Sequence, residues 1–110
     1  VSEDSVEEIF KFLKKRHIDI TTDWKGRYKQ HVNLMRSGTM FDMASVLKSL
    51  YYLSLTKPLS FREKKMLEKA KELLVTEISE VSALPLSAIE QRIISTLSLC
   101  FKGVKPHVEF

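Results

Sequence analysis

The run Trp24-Lys-Gly-Arg-Tyr-Lys29 places the only tryptophan of the chain beside Lys25, Arg27 and Lys29. A flat ring among cations at a helix start suits nucleic acid, because the ring can stack on or wedge between bases while the cations neutralise phosphates. A second basic cluster, Arg62, Lys64 and Lys65, stands at the start of another expected helix, where free backbone N–H groups point outward and favour anions. The same spacing has a plainer meaning. Trp24, Tyr28, Val32 and Met35 recur at helical intervals, and such a stripe on an amphipathic helix is usually core, with the cations a solvated face. The pattern assigns Tyr28, Val32 and Met35 to the core and leaves Trp24, in the first turn, beyond the packed middle of a bundle.

Catalytic chemistry finds no comparable set. His17, His31 and His107 lie in separate segments without carboxylate or cysteine companions at ligand spacing, and neither a glycine-rich phosphate loop nor a nucleophile elbow is present. The expectation is a binding domain rather than an enzyme, with no catalytic residue, metal or cofactor. Lone Cys100 excludes an internal disulfide and a cysteine metal site, and points to a reducing compartment, the cytoplasm. A net charge of +4 and a pI near 9.2 favour an anionic partner without demanding one. No apolar run approaches the ~20 residues that span a bilayer, so no membrane association is expected. Two readings stand: a nucleic-acid module, or a helical protein-interaction domain that presents part of its Met and Tyr set. Salt separates them, since counterion release makes DNA affinity fall steeply with salt.

The elements that position these residues are helices. With 110 residues, 44% hydrophobic, and only 3 Gly and 3 Pro, the chain reads as one all-α domain, a compact and monomeric bundle of about five helices. Ser5 and Glu8 form a capping box for a first helix to about Lys15, with Val6, Ile9, Phe10 and Leu13 on one face. Residues 18–21 make an extended connection, and Thr22 or Asp23 opens the Trp24 helix, which Gly38 closes. Thr39 and Asp42 start a third helix to about Leu55, buried through Met43, Val46, Leu47, Leu50 and Leu53, with Tyr51 and Tyr52 at its flanks. Ser60 and Glu63 launch a fourth from Phe61 to about Val81, and Ser87 with Glu90 a fifth, in which Ile89, Ile93, Ile94, Leu97 and Phe101 recur before Gly103. Residues 1–103 thus form the helical domain, 1–21 holding the first helix and its connection, and 104–110 a loose tail.

Three segments together carry a resemblance. Trp24-Lys-Gly-Arg-Tyr-Lys29, Leu34-Met-Arg-Ser-Gly38, and the run from Leu59 through Arg62-Glu-Lys-Lys65 to Glu77 resemble, in order and spacing, the helical C-terminal domain of the CarD (CdnL-like) bacterial transcription regulators. The similarity extends from about Val6 to Leu97. It implies a domain that contacts promoter DNA at the upstream edge of the transcription bubble, where a tryptophan wedges into the minor groove and helps hold the melted promoter open. The matching residue is Trp24, and the family's DNA-facing cations fall on Arg27, Lys29 and Lys64, with Lys65 adjacent. The resemblance also implies a bacterial, nucleoid-associated protein, weak sequence specificity, and docking on the RNA polymerase β subunit through a separate N-terminal domain. That domain is absent from these residues, and Val1 in place of Met suggests a fragment.

Two departures stand out. Gly26 occupies a position where many members carry arginine, which removes a phosphate contact and loosens the helix start. Thr39 replaces a common acidic residue but keeps a capping oxygen.

Overall fold

The computed structural model describes residues 3–15, 24–56 and 58–101, with side chains described for 6–15, 26–55 and 58–101. Among the described residues there are five helices and no strands: α1 (Glu3–Lys14), α2 (Trp24–Ser37), α3 (Met40–Thr56), α4 (Phe61–Ser82) and α5 (Leu86–Cys100). The all-α reading stands.

Helix α3 is apolar around much of its circumference because it is the central element, packed against α1, α2 and α4. Met43, Ala44, Val46, Leu47, Leu50 and Leu53 are all buried in it. Around it, α1 contributes Val6, Ile9, Phe10 and Leu13, α4 contributes Ala70, Leu74 and Ile78, and α5 contributes Ile89, Ile93 and Leu97. Each set repeats every three or four residues, so one face of each helix leaves water, at ~25 cal/mol per Å² of apolar surface removed. Phe101 closes the core, with its ring centroid 5.2 Å from Tyr52 and 6.2 Å from Tyr51. The two tyrosines are half-buried flanks, as their register implies. Among the described residues no helix is long and apolar enough to cross a membrane.

One buried cation interrupts the apolar centre. Lys48 of α3 is nearly inaccessible, and its Nζ donates to the carbonyl of Phe12 at 2.7 Å while lying 4.6 Å from the Phe12 ring centroid. The Cys100 thiol donates to the carbonyl of Lys15. Two carbonyls at the end of α1 thus find donors on α3 and α5, that of Phe12 accepting the Lys15 N–H as well. Burial pulls the Lys48 ammonium below its ordinary value.

The local start and stop signals act as the sequence indicates at the middle of the chain. Gly38 takes φ +72°, the left-handed conformation that ends α2. The Asp42 N–H donates to Thr39 Oγ1 at 3.1 Å, and the Glu63 N–H to Ser60 Oγ at 3.2 Å. Elsewhere the helices differ from expectation. Helix α1 begins at Glu3, which places Ser5 inside it rather than at its cap. Helix α5 begins at Leu86, so Ser87 and Glu90 are interior residues; Pro85, pre-set for the turn, is the N-cap and makes no side-chain capping bond. Ile94 lies toward solvent, 37% exposed, because the buried row runs through Ile93 and Leu97 instead. The Thr22 and Asp23 cap, the 18–21 connection, Gly103 and the tail lie outside the described residues.

Ser60 ties a helix start to the interior, since its hydroxyl both accepts the Glu63 N–H and donates to Glu63 Oε1 at 3.4 Å. Ser60→Ala is expected to lower stability by ~1–2 kcal/mol, read from the midpoint of urea unfolding at unchanged slope.

Candidate nucleic-acid interface

Helix α2 turns a polar stripe inward. Among the described side chains of α2, Arg27 and His31, one turn apart, are the buried ones, at 1% and 5% exposure, whereas Tyr28, Val32 and Met35 are only half-buried. Arg27 donates from Nε and Nη2 to the Oε2 atom of Glu63, both at 3.1 Å. Both side chains are almost wholly withdrawn from water, at 2% and 3% exposure. Two charges leave water at a cost of several kcal/mol each, and only close pairing with further hydrogen bonds offsets it. Glu63 supplies those bonds, because its other oxygen accepts from Ser60 while its backbone N–H is capped by the same hydroxyl.

Two readings from the sequence are corrected here. Arg27, expected to face DNA, is interior and engaged with Glu63, so it positions rather than contacts. Tyr28 and Val32, expected in the core, line an open groove instead, and Met35 lines the same groove while also packing against the core. The physical reason is shared: Glu63 offers a buried carboxylate to α2, and presenting Arg27 to it rotates the apolar stripe outward.

His31 lies beside this pair, and its Nδ1 has no hydrogen-bond partner among the described residues. Burial holds the imidazole below its ordinary value of 6.5, the Arg27 charge adds to the effect, and the Glu63 charge opposes it.

The ion pair has a geometric consequence. It joins the first turn of α2 to the first turn of α4, so both helix N-termini lie at one end of the molecule. Trp24 and Lys25 are the first two residues of α2 there, with side chains outside those described. Lys29 on α2 and Arg62, Lys64 and Lys65 on α4 are exposed. No acidic residue occupies the first turn of α2, and the one in the first turn of α4 is Glu63, already buried against Arg27. Among the described residues of these two first turns, positive potential from two helix ends meets exposed cations with no exposed acid beside them, Glu68 and Glu72 lying further along α4.

Phe61 belongs to this surface and was not singled out from the sequence. It is 72% exposed, and the Lys65 ammonium lies 4.6 Å from its ring centroid. Its phase was the available signal: Phe61 falls off the Glu63, Ala70, Leu74 row that faces inward and shares a face with Lys65 one turn later.

Between α2 and α4 runs a groove of about 500 Å³. Tyr28, Val32 and Met35 face Met66 and Leu73 across it, and Arg36, Arg62, Lys65 and Lys69 rim it. Lys64 lies on the adjoining face with Glu68 and Glu72. Among the described residues no cluster of His, Cys, Asp or Glu has the geometry to hold a metal ion.

Arg27→Met leaves the Glu63 charge buried alone and is expected to destabilise the domain by ~3–5 kcal/mol in chemical denaturation, while Arg27→Met combined with Glu63→Leu recovers a large part of that loss. A second expectation concerns pH. Because folding lowers the His31 pKa, the unfolded chain binds the proton more readily, so the His31 contribution is fully present above about pH 6.5 and declines as pH falls below it. Denaturation midpoints between about pH 7.5 and 5.5 should fall more steeply for the native sequence than for His31→Leu.

The comparisons with known proteins bear on this arrangement. Residues 8–94 match the family model described as CarD, C-terminal domain. The chain is also 28% identical over 80 residues to YdeB of Bacillus subtilis (strain 168), whose name describes a transcription factor; the aligned region covers 73% of this chain and 52% of YdeB. The chain thus spans about half the length of that relative. With the family model covering the helices that carry the Arg27–Glu63 pair and both basic helix starts, this chain belongs to the CarD C-terminal domain family.

Proposed function

We propose that this domain is the DNA-contacting part of a non-enzymatic transcription regulator, which binds promoter DNA at the upstream edge of the transcription bubble and stabilises the open complex. The observation that carries the reading is the meeting of two helix N-termini with exposed Lys29, Arg62, Lys64 and Lys65 at one end of a CarD C-terminal domain. The similarity to YdeB supports the transcriptional setting. In this reading Trp24 is the minor-groove wedge, Lys25 and the exposed cations hold phosphates, and Phe61 adds apolar surface beside Lys65. RNA polymerase is engaged through a separate N-terminal domain, and the protein works as a monomer in the bacterial cytoplasm, at the nucleoid.

The wedge works as a differential binder. A bulky ring inserts where base steps are already unstacked, and a ligand shifts an equilibrium only by the difference in its affinity for the two states. A tenfold preference for melted over paired DNA corresponds to ~1.4 kcal/mol. Phosphate contacts position the protein without reading bases, so sequence specificity is low.

The test is binding to a duplex with a melted bubble and to the same duplex fully paired, across a salt series. The bubble should bind more tightly, and Trp24→Ala should abolish the difference while its circular dichroism spectrum stays native. The slope of log K against log salt should lie near −3, and Lys64→Ala should reduce its magnitude by about 1. Equal or absent binding to both DNAs by folded protein would overturn the reading.

A further inference from the structure

The groove between α2 and α4 shares Arg62 and Lys65 with the proposed DNA contact but has an apolar floor that this contact does not use. Its floor is apolar, made by Val32 and Met35 on one side and Met66 and Leu73 on the other, with Tyr28 at the N-terminal end. Its rim is cationic throughout, since Arg36, Arg62, Lys65 and Lys69 are exposed and no acidic side chain is among the described residues lining it. A phosphodiester backbone satisfies the rim but offers nothing to the floor. An apolar ligand satisfies the floor but brings no counter-charge to the rim, where Lys65 and Lys69 have acids, Glu68 and Glu72, on the adjoining face.

We propose that this groove is a docking site for an acidic amphipathic helix of a protein partner. Such a helix sets apolar side chains at i, i+3, i+4 and i+7 into a groove and carries carboxylates on the flanks of that stripe. The flanks would meet Arg36 on one wall and Arg62, Lys65 and Lys69 on the other. The distance fits as well: from Tyr28 to Arg36 the wall is ~12 Å long, about two turns of a partner helix. Two methionines in the floor suit this use, because the unbranched thioether adjusts to side chains of different shape. Helix α2 can offer its apolar stripe here only because Arg27 and His31 fill its buried face. The inference does not depend on Trp24 or on DNA binding.

The test uses the 110-residue chain and a fluorescein-labelled helical peptide with Leu at i, i+3, i+4 and i+7 and Glu on the flanks. Three controls accompany it: a scrambled peptide of equal composition, a peptide with Lys in place of Glu, and paired duplex DNA. Anisotropy should show binding by the acidic amphipathic peptide, at least about tenfold weaker binding by the scrambled one, and none by the Lys peptide. Methyl resonances of Val32, Met35, Met66 and Leu73 should shift with the peptide. Val32→Glu, at the floor, and Lys69→Glu, an exposed change that leaves the packing intact, should each weaken it about tenfold or more. Equal affinity for the scrambled peptide would reduce the site to net charge and overturn the proposal. So would absence of binding by any peptide, or shifts of those four methyls by duplex DNA alone, which would make the groove a nucleic-acid surface.

Discussion

The buried Arg27–Glu63 pair is the interaction on which the functional end of this molecule depends. The two residues lie 36 positions apart, on helices whose main packing partner is α3 rather than each other. Hydrophobic burial fixes α2 and α4 against α3 but is non-directional, so it leaves the rotation of each helix loosely determined. A guanidinium whose two nitrogens reach one carboxylate oxygen, with Ser60 holding the other, has only one good arrangement. The pair thereby sets which face of α2 points outward and brings the two helix starts to one end.

Glu63 shows how tightly this is coupled. It belongs to the first turn of α4, where an acid is favoured by the helix dipole, and its backbone is capped by Ser60. The same side chain supplies the counter-charge for a cation from α2. A local signal for starting a helix and a long-range signal for orienting another are carried by one residue. His31 completes the polar interior; its neutral imidazole is the form compatible with a buried site already holding Arg27.

What could be read from the sequence follows from this distinction between local and distant causes. Gly38, Thr39 with Asp42, and Ser60 with Glu63 act within a few residues, and the boundaries of α3 and α4 follow from them. The core rows of α1 and α3 were legible, in α1 because its apolar residues share one helical face and in α3 because the helix is apolar around much of its circumference. Arg27 was not legible as an interior residue: a cation between Gly26 and Tyr28 has the pattern of a surface residue, and only the position of Glu63 in space says otherwise. Once Arg27 turns inward, the stripe of Tyr28, Val32 and Met35 must turn outward, so one unseen partner produced both misreadings. Cap and interior errors on α5 have a nearer cause, since Pro85 and Ser87 compete for the same role and the proline, with φ already set, takes it. For the surface, Lys29, Arg62, Lys64 and Lys65 were legible as exposed cations, but Phe61 was not, because an apolar residue directly after the Ser60 cap has the pattern of a core residue.

The arrangement of α2 is easiest to understand as a consequence of needing two things from a single helix. An amphipathic helix ordinarily has one apolar stripe and buries it, which leaves only polar side chains for a ligand. Helix α2 has an apolar stripe that lines the groove, so another face must help hold it to the domain, and the described residues that do so are Arg27, His31 and Leu34, with Met35 packing against the core from the edge of the stripe. Burying arginine in place of leucine sacrifices hydrophobic stabilisation and obliges α4 to provide a carboxylate at one position. In return the apolar residues Tyr28, Val32 and Met35 remain accessible beside Arg36, a composition that a helix docked by its own apolar face cannot present. A polar docking face is therefore not a defect in the packing of α2 but the condition for its outward surface.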